Sequence, residues 1–203
     1  MVVKVALVSA NELKINPETT ILLLMDFQNG ILANYPDAAP YLLAKALDVL
    51  TLAREQGIGV GFVRVAFEDS DYESVPATNK IFSTFAAARR FPATAPDSQV
   101  AFAIAPIEGE KTYRKVRVGA LSTTDLEADL EAKGIDTLIL CGIATGGVVL
   151  STVRDAADKD YRIIVLKDAC IDADPQVHEV LVERLFPRQA TVTTVDEFIE
   201  AQV

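Results

Sequence analysis

Residues 137–149 read Thr-Leu-Ile-Leu-Cys-Gly-Ile-Ala-Thr-Gly-Gly-Val-Val, and this stretch decides the fold. An apolar run of strand length passes into a glycine turn, and a helix-forming segment follows. Such a turn brings free helix N–H groups to the end of a buried strand, where they can hold negative charge. Many α/β enzymes place a nucleophile at the start of that helix. Here the position is Val148, which carries no nucleophilic atom.

Apolar runs and helix-like segments alternate along the rest of the chain. Strands are predicted over 21–26, 58–67, 111–118, 137–142, 162–167 and 190–194. Helices are predicted over 40–56, 81–90, 126–134, 146–159 and 175–186, with one more at the carboxyl terminus. Strands that alternate with helices predict an α/β fold, in which a parallel sheet has helices on both faces.

The chain is interpreted as a single domain over residues 1–203, because 203 residues suffice for one good core. Residues 1–18 are expected to form an amino-terminal leader. Residues 68–110 are the least regular stretch and are expected to form an excursion with short helices. Long excursions in compact domains are often lids or binding loops.

The formal net charge of −10 argues against a surface that binds nucleic acid or anionic membranes. No apolar run approaches the ~20 residues of a membrane span, and the amino-terminal apolar run is too short for a signal peptide. A cytoplasmic protein is therefore expected. The two cysteines, Cys141 and Cys170, end predicted buried strands and are interpreted as reduced core thiols.

Asp26, Lys115 and the 142–148 turn all fall at the carboxyl ends of predicted strands, where parallel sheets place their sites. Asp26 is a candidate general acid or base; alternatively, its carboxylate caps a turn through the N–H groups of Asn29 and Gly30. Lys115 lies in the segment 111–118, which has four basic residues; it could be a solvated strand end, or its ammonium could lie beside Asp26 and hold that carboxylate ionised.

Three segments carry a resemblance to a known family. They read Leu-Leu-Leu-Met-Asp-Phe-Gln-Asn-Gly at 22–30, Arg-Lys-Val-Arg-Val-Gly-Ala-Leu at 114–121 and Cys-Gly-Ile-Ala-Thr-Gly-Gly-Val-Val at 141–149. With them, about residues 19–195 resemble the isochorismatase-like (cysteine hydrolase) superfamily. The family's usual triad is Asp, Lys and Cys. Asp26 and Lys115 match its first two positions, whereas Val148 stands at the position of the cysteine.

The resemblance implies a three-layer α/β/α fold whose six-stranded parallel sheet has the order 3-2-1-4-5-6. It also implies a homodimer or homotetramer that acts on a small molecule, and a peptide bond at 143–144 of a kind that is commonly cis in relatives. No cofactor is expected.

Five further features complete the predicted site. The backbone N–H groups of Ala144 and Val148 could form an oxyanion hole. Phe27, Arg117 and Leu121 are expected to bind substrate, with Arg117 a candidate for a substrate carboxylate. The family usually has Phe where Leu121 stands.

No metal site is predicted, because residues 64–69 lack the histidine that metal-dependent nicotinamidases carry after the second strand. The sole histidine, His178, is interpreted as a surface helix residue.

Three functions remain open from the sequence. The first is a hydrolase without a covalent intermediate, since isochorismatases themselves lack the cysteine and cleave an enol ether by protonation from the aspartate. The second is a catalytically silent, ligand-binding member of the family. The third is an amidase that uses another thiol, which would require Cys141 or Cys170 to reach the site.

Overall fold

The computed structural model describes residues 12–203, and its centre is a six-stranded parallel sheet. The strands are β1 (Thr20–Met25), β2 (Gly59–Val65), β3 (Lys111–Lys115), β4 (Thr137–Ile143), β5 (Arg162–Ile171) and β6 (Thr191–Thr193). Their order in the sheet is β3-β2-β1-β4-β5-β6, which confirms the order that the family resemblance implies. The predicted leader at 1–18 falls largely outside the described residues, although Pro17–Thr19 form a 3₁₀ turn.

Helices cover both faces of the sheet. They are α1 (Asn29–Leu32), α2 (Ala39–Gln56), α3 (Asp69–Glu73), α4 (Lys80–Ala87), α5 (Leu126–Ala132), α6 (Leu150–Ala157), α7 (Pro175–Val180) and α8 (Val195–Gln202). Within residues 12–203, no helix has the length and apolar character needed to cross a membrane.

The two central strands are the most apolar. Every residue of β1 and of β4 is buried, because each strand pairs on both edges and is covered on both faces. The edge strands β3 and β6 are shorter, and β3 mixes buried and exposed positions. The predictions from apolar runs were therefore most accurate at the centre of the sheet.

Several predicted boundaries were wrong, and the strand predicted over 111–118 ends at Lys115. The strand predicted over 162–167 continues to Ile171, because β5 carries extra residues between Val165 and Cys170, after which its pairing with β4 resumes. The helix predicted over 146–159 begins as a π-helical turn, Thr145–Val149, in which Gly147 leaves helical geometry. The helix predicted over 175–186 likewise changes from α7 to a π-helical turn, Leu181–Leu185.

Gly142 allows β4 to lie close against β1 near the carboxyl ends of both strands. A Cβ atom at this position would lie 2.6 Å from the carbonyl oxygen of Met25 and 2.9 Å from its Cβ. Those atoms belong to the strand backbone and cannot move aside independently, so a side chain here would push the two central strands apart.

We predict that Gly142→Ala destabilises the protein by about 1–3 kcal/mol, the usual cost of overpacking a core. Urea unfolding followed by circular dichroism measures the loss. Gly119→Ala is the matched control, because a Cβ there would meet only side chains, the nearest being the Ser122 hydroxyl at 3.3 Å. Equal stability of Gly142→Ala and the wild type would contradict the close approach of β1 and β4.

Candidate active site

Asp26 follows the last residue of β1 and ends that strand in a left-handed turn. Its φ is 60°, and its amide donates a hydrogen bond to the carbonyl oxygen of Val63 at 2.8 Å. Asp tolerates this conformation better than most residues, but it still costs roughly 1–3 kcal/mol. Such conformations cluster at functional sites, where the surrounding structure holds them in place.

Asp26 and Lys115 form a buried ion pair across the end of β2. The Lys115 Nζ lies 2.8 Å from Asp26 Oδ2. Since β2 separates β1 from β3, the two backbones are about two strand spacings, or roughly 9.5 Å, apart. A long lysine side chain can span that gap. Asp26 is 4% exposed and Lys115 is 2% exposed, so water screens their attraction little.

Burial is the main influence on the protonation of Asp26. It raises the pKa of this carboxyl above the ordinary value, while the Lys115 ammonium acts in the opposite direction. Asp26 Oδ1 is buried and has no hydrogen-bond partner within the described residues. Buried polar atoms normally find partners. One carboxyl oxygen is therefore held by Lys115, and the other is available to carry a proton or meet a ligand.

The alternative in which Asp26 caps the following turn through Asn29 is wrong. The Asn29 amide donates instead to the carbonyl oxygen of Gln99 at 3.1 Å. Asp26 Oδ2 has Lys115 as its partner instead.

Sequence reasoning did not single out Gln28, a fully buried amide two residues beyond Asp26. Its Oε1 accepts from the Val65 amide at 2.8 Å, and its Nε2 donates to the carbonyl oxygens of Val65 and Ser98 at 2.9 and 3.0 Å. Gln28 thus ties the end of β2 to the 68–110 segment beside the ion pair. A polar residue three positions after an all-apolar strand was the signal for it.

The turn after β4 has the backbone that the family resemblance implies. The Ile143–Ala144 peptide bond is cis. The amides of Gly147 and Val149 both donate to the Ala144 carbonyl oxygen, at 3.0 and 3.4 Å. Val148 is buried among apolar residues of the main core. An oxyanion hole from the Ala144 and Val148 amides stays a prediction.

The three residues expected to bind substrate differ in their surroundings. Phe27 and Leu121 are buried in the main core. Arg117 is half-buried: its guanidinium lies 5.8 Å from the Phe82 ring centroid, and its Nη1 donates to the Val116 carbonyl oxygen at 2.6 Å. Among residues 12–203, Arg117 forms no ion pair. The Lys115 ammonium donates to the carbonyl oxygen of Arg117 at 3.3 Å, which places this segment beside the ion pair.

Both cysteines are free and buried, which confirms their interpretation as core thiols. Burial raises the pKa of Cys141 well above its ordinary value and that of Cys170 to about 12. Since the thiolate is the nucleophile, neither residue is activated for attack. In the described part of the chain, no group of three or more His, Cys, Asp or Glu side chains is arranged to hold a metal ion.

The interpretation of His178 as a plain surface residue was wrong. His178 is half-buried, and its Nδ1 lies 2.8 Å from the Thr145 hydroxyl. Burial lowers the pKa of its imidazole below the ordinary value. Thr145 and His178 are 33 residues apart, and no local pattern predicts their contact. It arises because β4 and β5 are neighbours in the sheet, which brings together the segments that follow them.

The buried ion pair predicts a specific pattern of stability. Asp26→Asn or Lys115→Met alone leaves its partner as an uncompensated buried charge, which typically costs about 3–5 kcal/mol. We expect the double variant to recover much of that loss, since it buries no net charge. Urea unfolding of all four proteins measures the coupling. The exposed pair Asp69–Arg89 is the control and should show little coupling. Strictly additive losses for Asp26 and Lys115 would contradict the pairing.

The comparisons with known proteins agree on one family. A model of the isochorismatase domain matches residues 20–197. The isochorismatase family protein YecD of Escherichia coli O157:H7, which is itself uncharacterized, is 32% identical over 200 residues, covering 93% of this chain and 99% of that protein. The "Probable isochorismatase" of Pseudomonas chlororaphis is 32% identical over 187 residues, covering 91% and 87%.

Among solved structures, N-carbamoylsarcosine amidase from Thermoplasma acidophilum superposes with a TM-score of 0.72 at 26% identity, over 88% of this chain and 97% of that chain. Members of the matched family are hydrolases that act on small molecules. Because the family model spans nearly the whole sheet and the curated relatives match along most of their length, this chain belongs to the isochorismatase family.

Proposed function

We propose that this protein hydrolyses a small molecule without a covalent enzyme intermediate, with Asp26 as general acid and base and Lys115 as its cationic partner. One observation carries the proposal: the Asp26–Lys115 pair is buried at the carboxyl edge of the sheet, and among residues 12–203 Asp26 Oδ1 has no hydrogen-bond partner. A carboxyl with a raised pKa and a free oxygen suits proton transfer.

An enol ether is the substrate type that this pair suits best, as in the relative named an isochorismatase. Asp26 adds its proton to the enol-ether carbon, which leaves a cation at the neighbouring carbon, and Lys115 holds the resulting carboxylate. Water then adds to the cation and returns a proton to Asp26. The hemiketal collapses to an alcohol and a carbonyl compound, so that the overall change is the addition of one water molecule.

Val148 supports water as the direct attacking group. It occupies the position where the family's cysteine would attack, it is apolar, and it is buried. Within the turn, the amides of Gly147 and Val149 already donate to Ala144. The proposal assigns the amides of Ala144 and Val148 to hold the hemiketal oxygen that forms when water adds.

The substrate-binding role of Arg117 rests on its free hydrogen-bonding capacity. One face of the guanidinium is near the Phe82 ring, and an arginine without an acidic partner can bind a carboxylate with two hydrogen bonds. Phe27 and Leu121 would form apolar walls. Because the ion pair is almost wholly buried, residues 68–110 are assigned as a lid that admits the substrate.

The proposal also covers the domain organisation, the oligomeric state, the location and the cofactor requirement of the protein. It treats residues 1–203 as one domain that forms a homodimer or homotetramer in the cytoplasm and needs no cofactor. The net charge of −10 supports the absence of nucleic-acid or membrane partners. The family resemblance supports the oligomer. An amidase that uses Cys141 or Cys170 is disfavoured, because both thiols are buried and hold their protons strongly.

The first experiment compares wild type and Asp26→Asn on isochorismate and on a panel of small amides and N-carbamoyl compounds. Loss of the general acid should lower kcat/KM by about 10²–10⁴-fold. Asp37→Asn, on an exposed loop, is the control and should keep full activity. If wild type turns over no compound but is thermally stabilised by one of them, the proposal is wrong and the protein is a ligand-binding member of the family.

A second prediction tests whether the residues around position 148 would support a cysteine nucleophile there. Val148→Cys should create activity toward small amides, because a thiol would then stand beside the ion pair and the turn amides. Val149→Cys places the same thiol one residue further along in the core and should create none. Release of ammonia or amine from each compound is the measurement. Equal activity of the two variants would contradict the assignment of position 148.

A further inference from the structure

The segment that follows β5, together with α7, touches the turn after β4 at two consecutive residues. Asp172 reaches the backbone of Gly146, and His178 reaches the side chain of Thr145. The turn follows the cis peptide bond and leads to Val148, so both contacts act on the backbone that precedes position 148. We refer to Asp172 and His178 as the clamp.

The contact with Gly146 is short, and it leaves little room for a side chain on residue 146. The Gly146 amide donates to Asp172 Oδ2 at 2.6 Å, and Asp172 Oδ1 accepts from the Asp174 amide at 3.3 Å. A Cβ atom on residue 146 would lie 3.0 Å from Asp172 Oδ2 and 3.0 Å from Val177 Cγ1. The absence of a side chain therefore lets the carboxylate and α7 close directly onto the turn.

The contact with Thr145 joins a fully buried hydroxyl to a half-buried imidazole. The charged groups that act on His178 are Asp172, Glu183 and Lys167. Since burial lowers the pKa of His178, the ring is neutral near pH 7, where Nδ1 can pair with the hydroxyl as acceptor or donor according to its tautomer.

The clamp completes the hydrogen bonding of the turn. The Gly147 and Val149 amides are held by the carbonyl oxygen of Ala144, inside the turn itself. Thr145 and Gly146 are held from outside, by the clamp. Hydrogen bonds within the turn and from the clamp together restrain its backbone, and fixed hydrogen-bond donors are a condition of electrostatic catalysis.

We infer that Asp172 and His178 are positioning residues, which fix the turn of Ala144–Val148 over the reacting atoms without touching the substrate themselves. This inference rests on the proposed function, because it assigns the clamp to the same reaction. It adds two residues that no sequence motif indicates. The clamp should affect the rate of the bound complex, and leave the binding of substrate almost unchanged.

The kinetic test compares His178→Leu with His178→Asn. Leucine removes the partner of Thr145, whereas asparagine can place a polar atom near the position of Nδ1. We expect His178→Leu to lower kcat about fivefold with little change in KM, since one net hydrogen bond is worth about 1 kcal/mol, and we expect His178→Asn to restore most of the rate. Equal rates for both variants, or a change confined to KM, would overturn the inference.

Asp172→Asn and Asp172→Ala provide the second arm. Asparagine keeps an acceptor for the Gly146 amide and should retain more of kcat than alanine. Glu179→Gln on the exposed side of α7 is the control and should leave kcat unchanged. Faster turnover by Asp172→Ala than by Asp172→Asn would overturn the inference.

Amide hydrogen exchange of residues 145–147 separates this inference from the proposed function, because it needs no turnover. His178→Leu should speed exchange at these amides, and His178→Asn should not. If wild type proves inactive, the proposed function fails, and unchanged exchange in His178→Leu would then refute the clamp as well. If Asp26→Asn is inactive but His178→Leu is fully active, the function stands and the clamp alone is refuted.

Discussion

The buried ion pair between Asp26 and Lys115 is the interaction on which the candidate active site depends. Taking a carboxylate and an ammonium out of water is costly, and the cost is offset only when the two groups meet with good geometry. That geometry requires three adjacent parallel strands, with β2 holding β1 and β3 at a separation that a lysine can span. The sheet order is thus a requirement of the site as well as of the core.

The left-handed backbone of Asp26 and the close contact at Gly142 also place the site residues together at the carboxyl ends of the central strands. The first ends β1 sharply, so that the carboxyl is placed at the strand end. The second lets β4 approach β1 without a side chain between them, and so brings the turn after β4 next to that carboxyl. Gln28 then fixes the neighbouring end of β2 through three buried hydrogen bonds. Backbone packing and polar contacts thereby hold the strand ends around Asp26 in place.

Within this frame the residue at position 148 is apolar, while the acid, the cation and the turn are all present. A hydrolase that used a thiol would need a low-pKa cysteine, and the two cysteines of the chain have the opposite character because both are buried in the core. Proton transfer requires only a carboxyl whose charged form is disfavoured and a neighbouring cation. Under the proposed mechanism the chemistry is that of Asp26, and the substrate is one that protonation alone makes reactive to water.

The sequence by itself determined the central strands, the α/β class and the placement of Asp26, Lys115 and the glycine turn at strand ends, because runs of buried apolar residues and the breaks that end them are local patterns. Similarity to a family supplied the strand order. Only the tertiary structure decided the π-helical turn, the extension of β5, the contact of Asp172 with Gly146 and the contact of His178 with Thr145. These features depend on segments far apart in the chain, whose contacts exist only once β4 and β5 lie side by side in the sheet.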